Sequence, residues 1–255
     1  MIRMISTVPA SVGGGGSTKE LYSDTTDANV GLGKGLAFHA DAEDNVAIGE
    51  NSLNSTTGAA LGNIAIGTSA GTAINTGDYN IIIGHQAGLT IAAASENVII
   101  GKGSGRLLSS GGNNIAIGAS SLAAANGGEA TNVAIGGSAM VSVDNNSSTS
   151  NVAVGFNALA GGSGALSGSI AIGYNALDAT SSNAHTGTIA IGYEALTALT
   201  SGTGNLAIGY QAATGITTGA KNVAIGYGAM DGAGGASVLD SDDNVFIGYD
   251  AGGGT

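Results

Sequence analysis

Residues 222–230 read NVAIGYGAM. Val223 and Ile225 lie two positions apart, so in an extended strand they share one face while Ala224 takes the other. β-Branching at those positions favours strand over helix. The closing Gly226 marks a turn in a backbone conformation that other residues resist. Gly228-Ala229-Met230 adds another apolar position and predicts a second short strand, so one unit reads as strand, tight turn, strand, long turn.

The same core recurs along the chain. Its closing glycine falls at Gly33, Gly49, Gly67, Gly84, Gly101, Gly118, Gly136, Gly155, Gly173, Gly192, Gly209, Gly226 and Gly248, thirteen units in all. Most successive spacings are 17 to 19 residues; the first is 16, and the last is 22, lengthened by AGGASVLDSDD. A single unit buries too little aliphatic surface to offset the entropy of ordering its backbone. Stacking covers both open faces of each coil and adds ladder hydrogen bonds, so the repeat predicts a solenoid.

The fold class that follows is all-β, a parallel β-solenoid of about thirteen coils over residues 29–255. At about 4.8 Å between parallel strands, such a rod is about 60 Å long. The Val and Ile of each strand are expected to fill the core of their own coil. The column Ala47, Ala65, Ala116, Ala134, Ala153, Ala171, Ala190, Ala207 and Ala224 is expected to face outward, where small residues let another copy approach. A long exposed column of this kind favours an oligomer.

An asparagine precedes most strands, at Asn29, Asn45, Asn63, Asn80, Asn97, Asn114, Asn132, Asn151, Asn205, Asn222 and Asn244, with Ser169 and Thr188 replacing it in two units. Stacked side-chain amides that satisfy one another at the turn explain this column better than a polar binding stripe does.

Composition narrows the function. Only 9% of residues are charged, the net charge is −12, and six cations are too few to neutralise a nucleic-acid backbone. With no cysteine, neither a disulfide framework nor a thiolate metal site is available. The N-terminus lacks the continuous apolar core of a secretory signal, and no run approaches the length of a membrane-spanning helix.

Thirteen units built on an N-[VI]-A-I-G-like core in one register resemble the head repeat of trimeric autotransporter adhesins, the YadA-like head, whose relatives include phage fibre and virion surface proteins. The resemblance covers residues 29–250. It implies a left-handed parallel β-roll, three chains side by side around a common axis, and binding or display rather than catalysis. The repeats here are longer than those of the family, so the additional residues are expected in outer turns. With no signal, heptad stalk or membrane barrel in the sequence, the expectation moves to a phage fibre, spike or capsid/tail decoration protein on the virion surface. The alternatives are a bacterial adhesin head and a self-assembling extracellular filament; an ice-binding solenoid lacks its flat Thr columns.

The residue after the closing glycine runs Lys34, Glu50, Thr68, His85, Lys102, Ala119 and Gly137, then Phe156, Tyr174, Tyr193, Tyr210, Tyr227 and Tyr249. An aromatic strip offers ring faces and hydroxyls to host-surface glycans; the structural alternative is stacking between coils. The acidic clusters Asp41-Ala42-Glu43-Asp44 and Asp240-Ser241-Asp242-Asp243 lack calcium-loop spacing and are expected to be solvated turns. His39, His85 and His185 have no metal-ligand spacing and are expected on the surface or in turns. Lys34 followed by Gly35 misses the phosphate-loop pattern. Six-residue acyltransferase periodicity and paired carboxylates are also missing, so no catalytic residue, cofactor or metal is expected. Residues 1–28 lie outside the repeat, and Ile2, Met4, Ile5 and Val8, ahead of Pro9 and the Gly13–Gly16 joint, suggest an arm that docks into a larger assembly.

Overall fold

The computed structural model describes residues 20–23, 27–54, 58–143, 147–162, 164–180, 184–232 and 241–253. The docking-arm residues Ile2, Met4, Ile5 and Val8 fall outside these. The early strands are β1 (Glu20–Ser23), β2 (Val30–Gly33), β3 (Val46–Ile48), β4 (Ile64–Ile66), β5 (Ile81–Ile83) and β6 (Val98–Ile100). Next come β7 (Ile115–Ile117), β8 (Val133–Ile135), β9 (Val152–Val154), β10 (Leu166–Ser167) and β11 (Ile170–Ile172). The chain continues with β12 (His185–Thr186), β13 (Ile189–Ile191), β14 (Leu206–Ile208), β15 (Val223–Ile225) and β16 (Val245–Ile247).

The fold is all-β, a parallel β-solenoid of about eleven turns, with no helix among the described residues. From β2 onward the repeat strands pair parallel, each with its equivalent in the next coil: Ile189, Ala190 and Ile191 oppose Leu206, Ala207 and Ile208. β1 pairs antiparallel with β2, so Glu20–Ser23, outside the repeat, nevertheless join the sheet. β10 and β12 form a small second parallel sheet.

Two expectations about the unit are corrected. A second strand does not follow each closing glycine; that stretch is a series of turns. In the coil around β13 the chain is left-handed at Gly187 (φ 63°), Glu194 (φ 53°) and Leu196 (φ 53°), and Gly192 sits at φ 141°. A non-glycine residue in the left-handed region costs about 1–2 kcal/mol. Burying Leu196, which is fully enclosed, returns about 1.5–3 kcal/mol.

The faces of the strand are also reversed. The central residue of each strand points inward: Ala47, Ala65, Ala116, Ala153 and Ala190 are fully buried, while the flanking Val and Ile point outward. The reason is the thinness of the coil. The turn after each closing glycine carries Ala70, Ala87, Ala139, Ala158, Ala176 and Ala195, also fully buried, so small residues line both sides of most coils. Buried Ser104 bonds across the coil to the Ala116 carbonyl at 2.9 Å.

Where a strand centre is large, its coil compensates. Ile82, Ile99 and Phe246 are followed six residues later by Gly88, Gly105 and Gly252, whereas Ala116, Ala153 and Ala190 are followed by Leu122, Leu159 and Leu196. A Cβ on Gly105 would stand 2.9 Å from Ile99 Cδ1, and one on Gly252 would stand within the Phe246 ring's space.

The asparagine column is an internal ladder. Asn97 Oδ1 accepts from Asn114 N at 2.9 Å and from Asn114 Nδ2 at 3.0 Å. Asn97 Nδ2 donates to Asn80 Oδ1 at 3.0 Å and to the Gly111 carbonyl at 3.1 Å. These amides are fully buried, so partners on both sides are what makes burial tolerable.

Candidate functional site

With alanine and asparagine inside, the outward sheet face carries four columns. Two are aliphatic, running Val46, Ile64, Ile81, Val98 and onward, and Ile48, Ile66, Ile83, Ile100 and onward. Outward residues in the middle of the stack, such as Ile81, Ile115 and Ile172, keep 37–38% of their surface exposed because rungs above and below cover the rest. At the last rung Val245 and Ile247 rise to 66% and 65%.

The third column follows the closing glycine. Phe156, Tyr174, Tyr193, Tyr210, Tyr227 and Tyr249 stack as one ladder, with ring centroids 4.9–5.7 Å apart and planes within 7–14° of parallel. Coil spacing dictates this, since parallel strands about 4.8 Å apart hold successive rings at stacking distance. Within the ladder each ring covers its neighbours' faces, leaving edges and hydroxyls to solvent; Tyr249, at the end, is 75% exposed. The Tyr193 hydroxyl is held above its ordinary pKa, first by its hydrogen bond with Glu194. Glu194 also accepts from Gln211 Nε2 at 2.8 Å.

The fourth column was not singled out from the sequence, because its residue types share no chemistry. From the second rung onward it is the position just before each ladder residue: Asp44, Gly62, Tyr79, Glu96, Asn113, Thr131, Ser150, Gly168, Gly187, Gly204, Lys221 and Asp243. All are left-handed, with φ between 56° and 69°. Register alone identifies them: counting by two from the outward Val leads back to this position. Nothing stands within 4 Å of where a Cβ would sit on Gly168 or Gly187, and both are exposed.

The remaining candidates are dispersed. His85 is exposed, and His39 Nδ1 lies 3.6 Å from Asp41 Oδ2. His185 is fully buried in β12, contrary to its expected place on the surface. Burial pushes its imidazole below the ordinary value of 6.5, against backbone hydrogen bonds to Thr200 and Gly202 that raise it. Its Nε2 donates to the Thr200 carbonyl at 3.2 Å, while Nδ1 has no partner.

Near it the amide ladder lapses at Ser169 and Thr188, whose hydroxyl oxygens are buried and unpartnered, as is that of Thr180. Burial raises the pKa of Asp178 foremost, and Glu194 adds to the rise. Asp242 Oδ1 accepts from the Ala220 amide at 2.8 Å, a turn-capping role. Among the described residues no three His, Asp or Glu side chains converge as a metal site requires.

No family model, curated protein or solved structure matches the chain.

Proposed function

We propose that the chain is a non-enzymatic structural and attachment rod, thirteen coils wound as a left-handed β-roll, that works as a side-by-side homotrimer. The observation that carries this reading is the unbroken aliphatic face. Apolar patches beyond a few hundred Å² mark interaction sites; the two aliphatic columns, two residues or about 7 Å apart along a rod of about 60 Å, cover about 400 Å² before side-chain width is counted, and with the flanking columns the outward face is about 60 Å by about 20 Å, or about 1,200 Å².

Its width favours three copies. Sheets pack about 10 Å apart, so each face stands about 5 Å from a shared axis, and a triangular prism of that size has sides about 17 Å wide. The six steps from the column before the asparagine to the column after the glycine span at most about 20 Å. A four-sided prism would have sides only about 10 Å wide.

Together with the resemblance of its repeats to adhesin heads and phage fibres, this supports a fibre, spike or decoration protein on a phage particle that contacts the host surface. The head of a bacterial surface adhesin is the second reading, resting on the same repeats. Light scattering on the purified protein tests the core of the proposal. A mass of three chains is expected, falling to one in Ile172→Asp/Ile191→Asp with the solenoid's circular dichroism retained; a monomeric wild type overturns it. Attachment is tested by binding of the labelled rod to bacterial cells and glycan arrays. Loss of binding in Tyr193→Ala/Tyr210→Ala, with the mass of three chains retained by light scattering, assigns the contact to the aromatic ladder.

A further inference from the structure

We propose that the two columns flanking the aliphatic face form a rung-by-rung seam between copies: the position before each asparagine on one copy meets the position after the closing glycine on its neighbour, at the same height. This rests on the self-association reading above. In a cyclic assembly whose axis runs along the rod, equivalent rungs of all copies lie at one level, and the left edge of each face meets the right edge of the next.

The pairs that the aromatic rungs from Ser150 to Gly204 bring together are complementary in size, whereas Tyr79 and His85 share a rung and are both large. Gly168, Gly187 and Gly204 share rungs with Tyr174, Tyr193 and Tyr210. The bulkiest residues of one column thus oppose residues with no side chain. The space beside Gly168 and Gly187 is open, and the tyrosine edges that face it are the parts of the ladder that stacking leaves uncovered. Ser150 receives Phe156 in the same way.

Charge follows the same rule. Glu96 and Lys102 share a rung, are both exposed, and stand about 20 Å apart across one face, out of each other's reach. Among the described residues neither has an ionic partner in its own chain, where the one ion pair is His39–Asp41. Across the seam they meet, once per interface. Lys221 likewise meets the ring of Tyr227, a cation–π arrangement. Asp44 and Glu50 share a rung with like charge and depart from this rule.

An association with copies running in opposite directions would break these matches. It would set the tyrosine half of one rod against the half carrying Thr68, His85 and Lys102. The seam therefore fixes both direction and register, and it places the ring edges of the tyrosine ladder against a second copy of this chain.

The chain has no native cysteine, so thiol cross-linking tests the seam directly. Ser150→Cys/Phe156→Cys places thiols on one rung; Ser150→Cys/Tyr210→Cys offsets them by three rungs, about 14 Å along the rod. With a short bis-maleimide of about 8 Å, too short to bridge one face of about 20 Å, the first variant is expected to give covalent trimers and the second none. Independently, Lys102→Glu is expected to raise the trimer dissociation constant about tenfold, from three symmetry-related pairs, and Glu96→Lys/Lys102→Glu to restore it.

Trimers by light scattering without same-rung cross-links, or a charge swap no better than Lys102→Glu alone, overturn the seam and leave self-association standing. A monomeric wild type overturns both.

Discussion

Strand centre and turn residue share one interior volume in most coils, Ala65 with Gly71 and Ala207 with Ala213 departing from the pattern, and this can be tested by moving one coil's solution into its neighbour. In the coil of β6 the strand centre is Ile99 and the facing turn residue is Gly105; in the coil of β7 the same places hold Ala116 and Leu122. Ile99→Ala alone leaves a cavity in a fully buried site and is expected to cost about 2–5 kcal/mol. Gly105→Leu alone brings a Cβ to 2.9 Å from Ile99 Cδ1 and 3.2 Å from Cγ2, with three further carbons to place. Overpacking of that kind costs about 1–3 kcal/mol or more. The backbone adds about 1–2 kcal/mol at φ 52°, the strain that Leu122 bears at φ 49° in the next coil. Combining the two reproduces the neighbouring coil's arrangement, and its expected cost, mostly the left-handed leucine backbone, is about 1–3 kcal/mol. The coupling between the sites is then about 3 kcal/mol. Urea unfolding at one fixed protein concentration measures all four species. If the double variant loses the sum of the two single losses, the volume argument is wrong.

Two further predictions concern the closing glycine and the buried histidine. Gly192→Ala combines a strained φ of 141° with a Cβ 2.1 Å from the Gly209 carbonyl oxygen, while Gly248→Ala, at φ 135°, meets nothing closer than Ala251 Cβ at 3.8 Å. Opening the rungs to admit the first of these methyl groups breaks ladder bonds such as Gly209 N to Ile191 O, so Gly192→Ala is expected to cost about 2 kcal/mol more than Gly248→Ala in urea unfolding; equal losses would show that the rungs tolerate the contact. The folded pKa of His185 lies below 6.5, so its neutral form stabilises the fold above that value, and the unfolded chain binds the extra proton as pH falls below it. Melting temperature should therefore drop between pH 7 and pH 5 more steeply in the wild type than in His185→Leu, and parallel pH profiles would refute the assignment.

The periodic frame was legible from Asn222 to Gly226 alone, because strand alternation, β-branching and an amide ladder each demand particular residue types at fixed spacing. Which strand face turns inward was not. Alternation separates Ala224 from Val223 and Ile225, but the choice between them depends on the distance to the opposite wall, set by residues such as Ala195 and Ala212 several positions on. The turns after the glycine were missed for a related reason: Leu196 at φ 53° pays in backbone strain for a buried side chain, a trade no local propensity expresses. His185 gave no signal as a lone histidine; only its register, three residues before the Thr188 that replaces the ladder asparagine, places it inside.

The same register explains why coil length varies. Between Gly67 and Gly226 the 17-residue coils carry Ile74, Ile91, Leu108, Leu199 or Ile216 at an inner corner and Gly77, Ala94, Gly111, Gly202 or Gly219 three residues before the ladder position. The four longer coils, of 18 or 19 residues, carry Ala125, Val143, Gly161 or Thr180 at the corner and Glu129, Ser148, Leu166 or His185 at the second place. A Cβ on Gly111 would stand 3.0 Å from Leu108 Cδ1, so the two positions compete for one volume. Moving bulk from the corner to the second place requires slack in the connecting turn, which the additional residues supply. The 18-residue coil that ends at Gly67 carries Ala60 and departs from this rule. Elsewhere the longer turns follow from what the core must hold. In the proposed seam, register rests on the columns flanking the aliphatic face, where Tyr193 and Gly187, or Lys102 and Glu96, change from rung to rung while the outward strand residues stay Val, Ile or Leu.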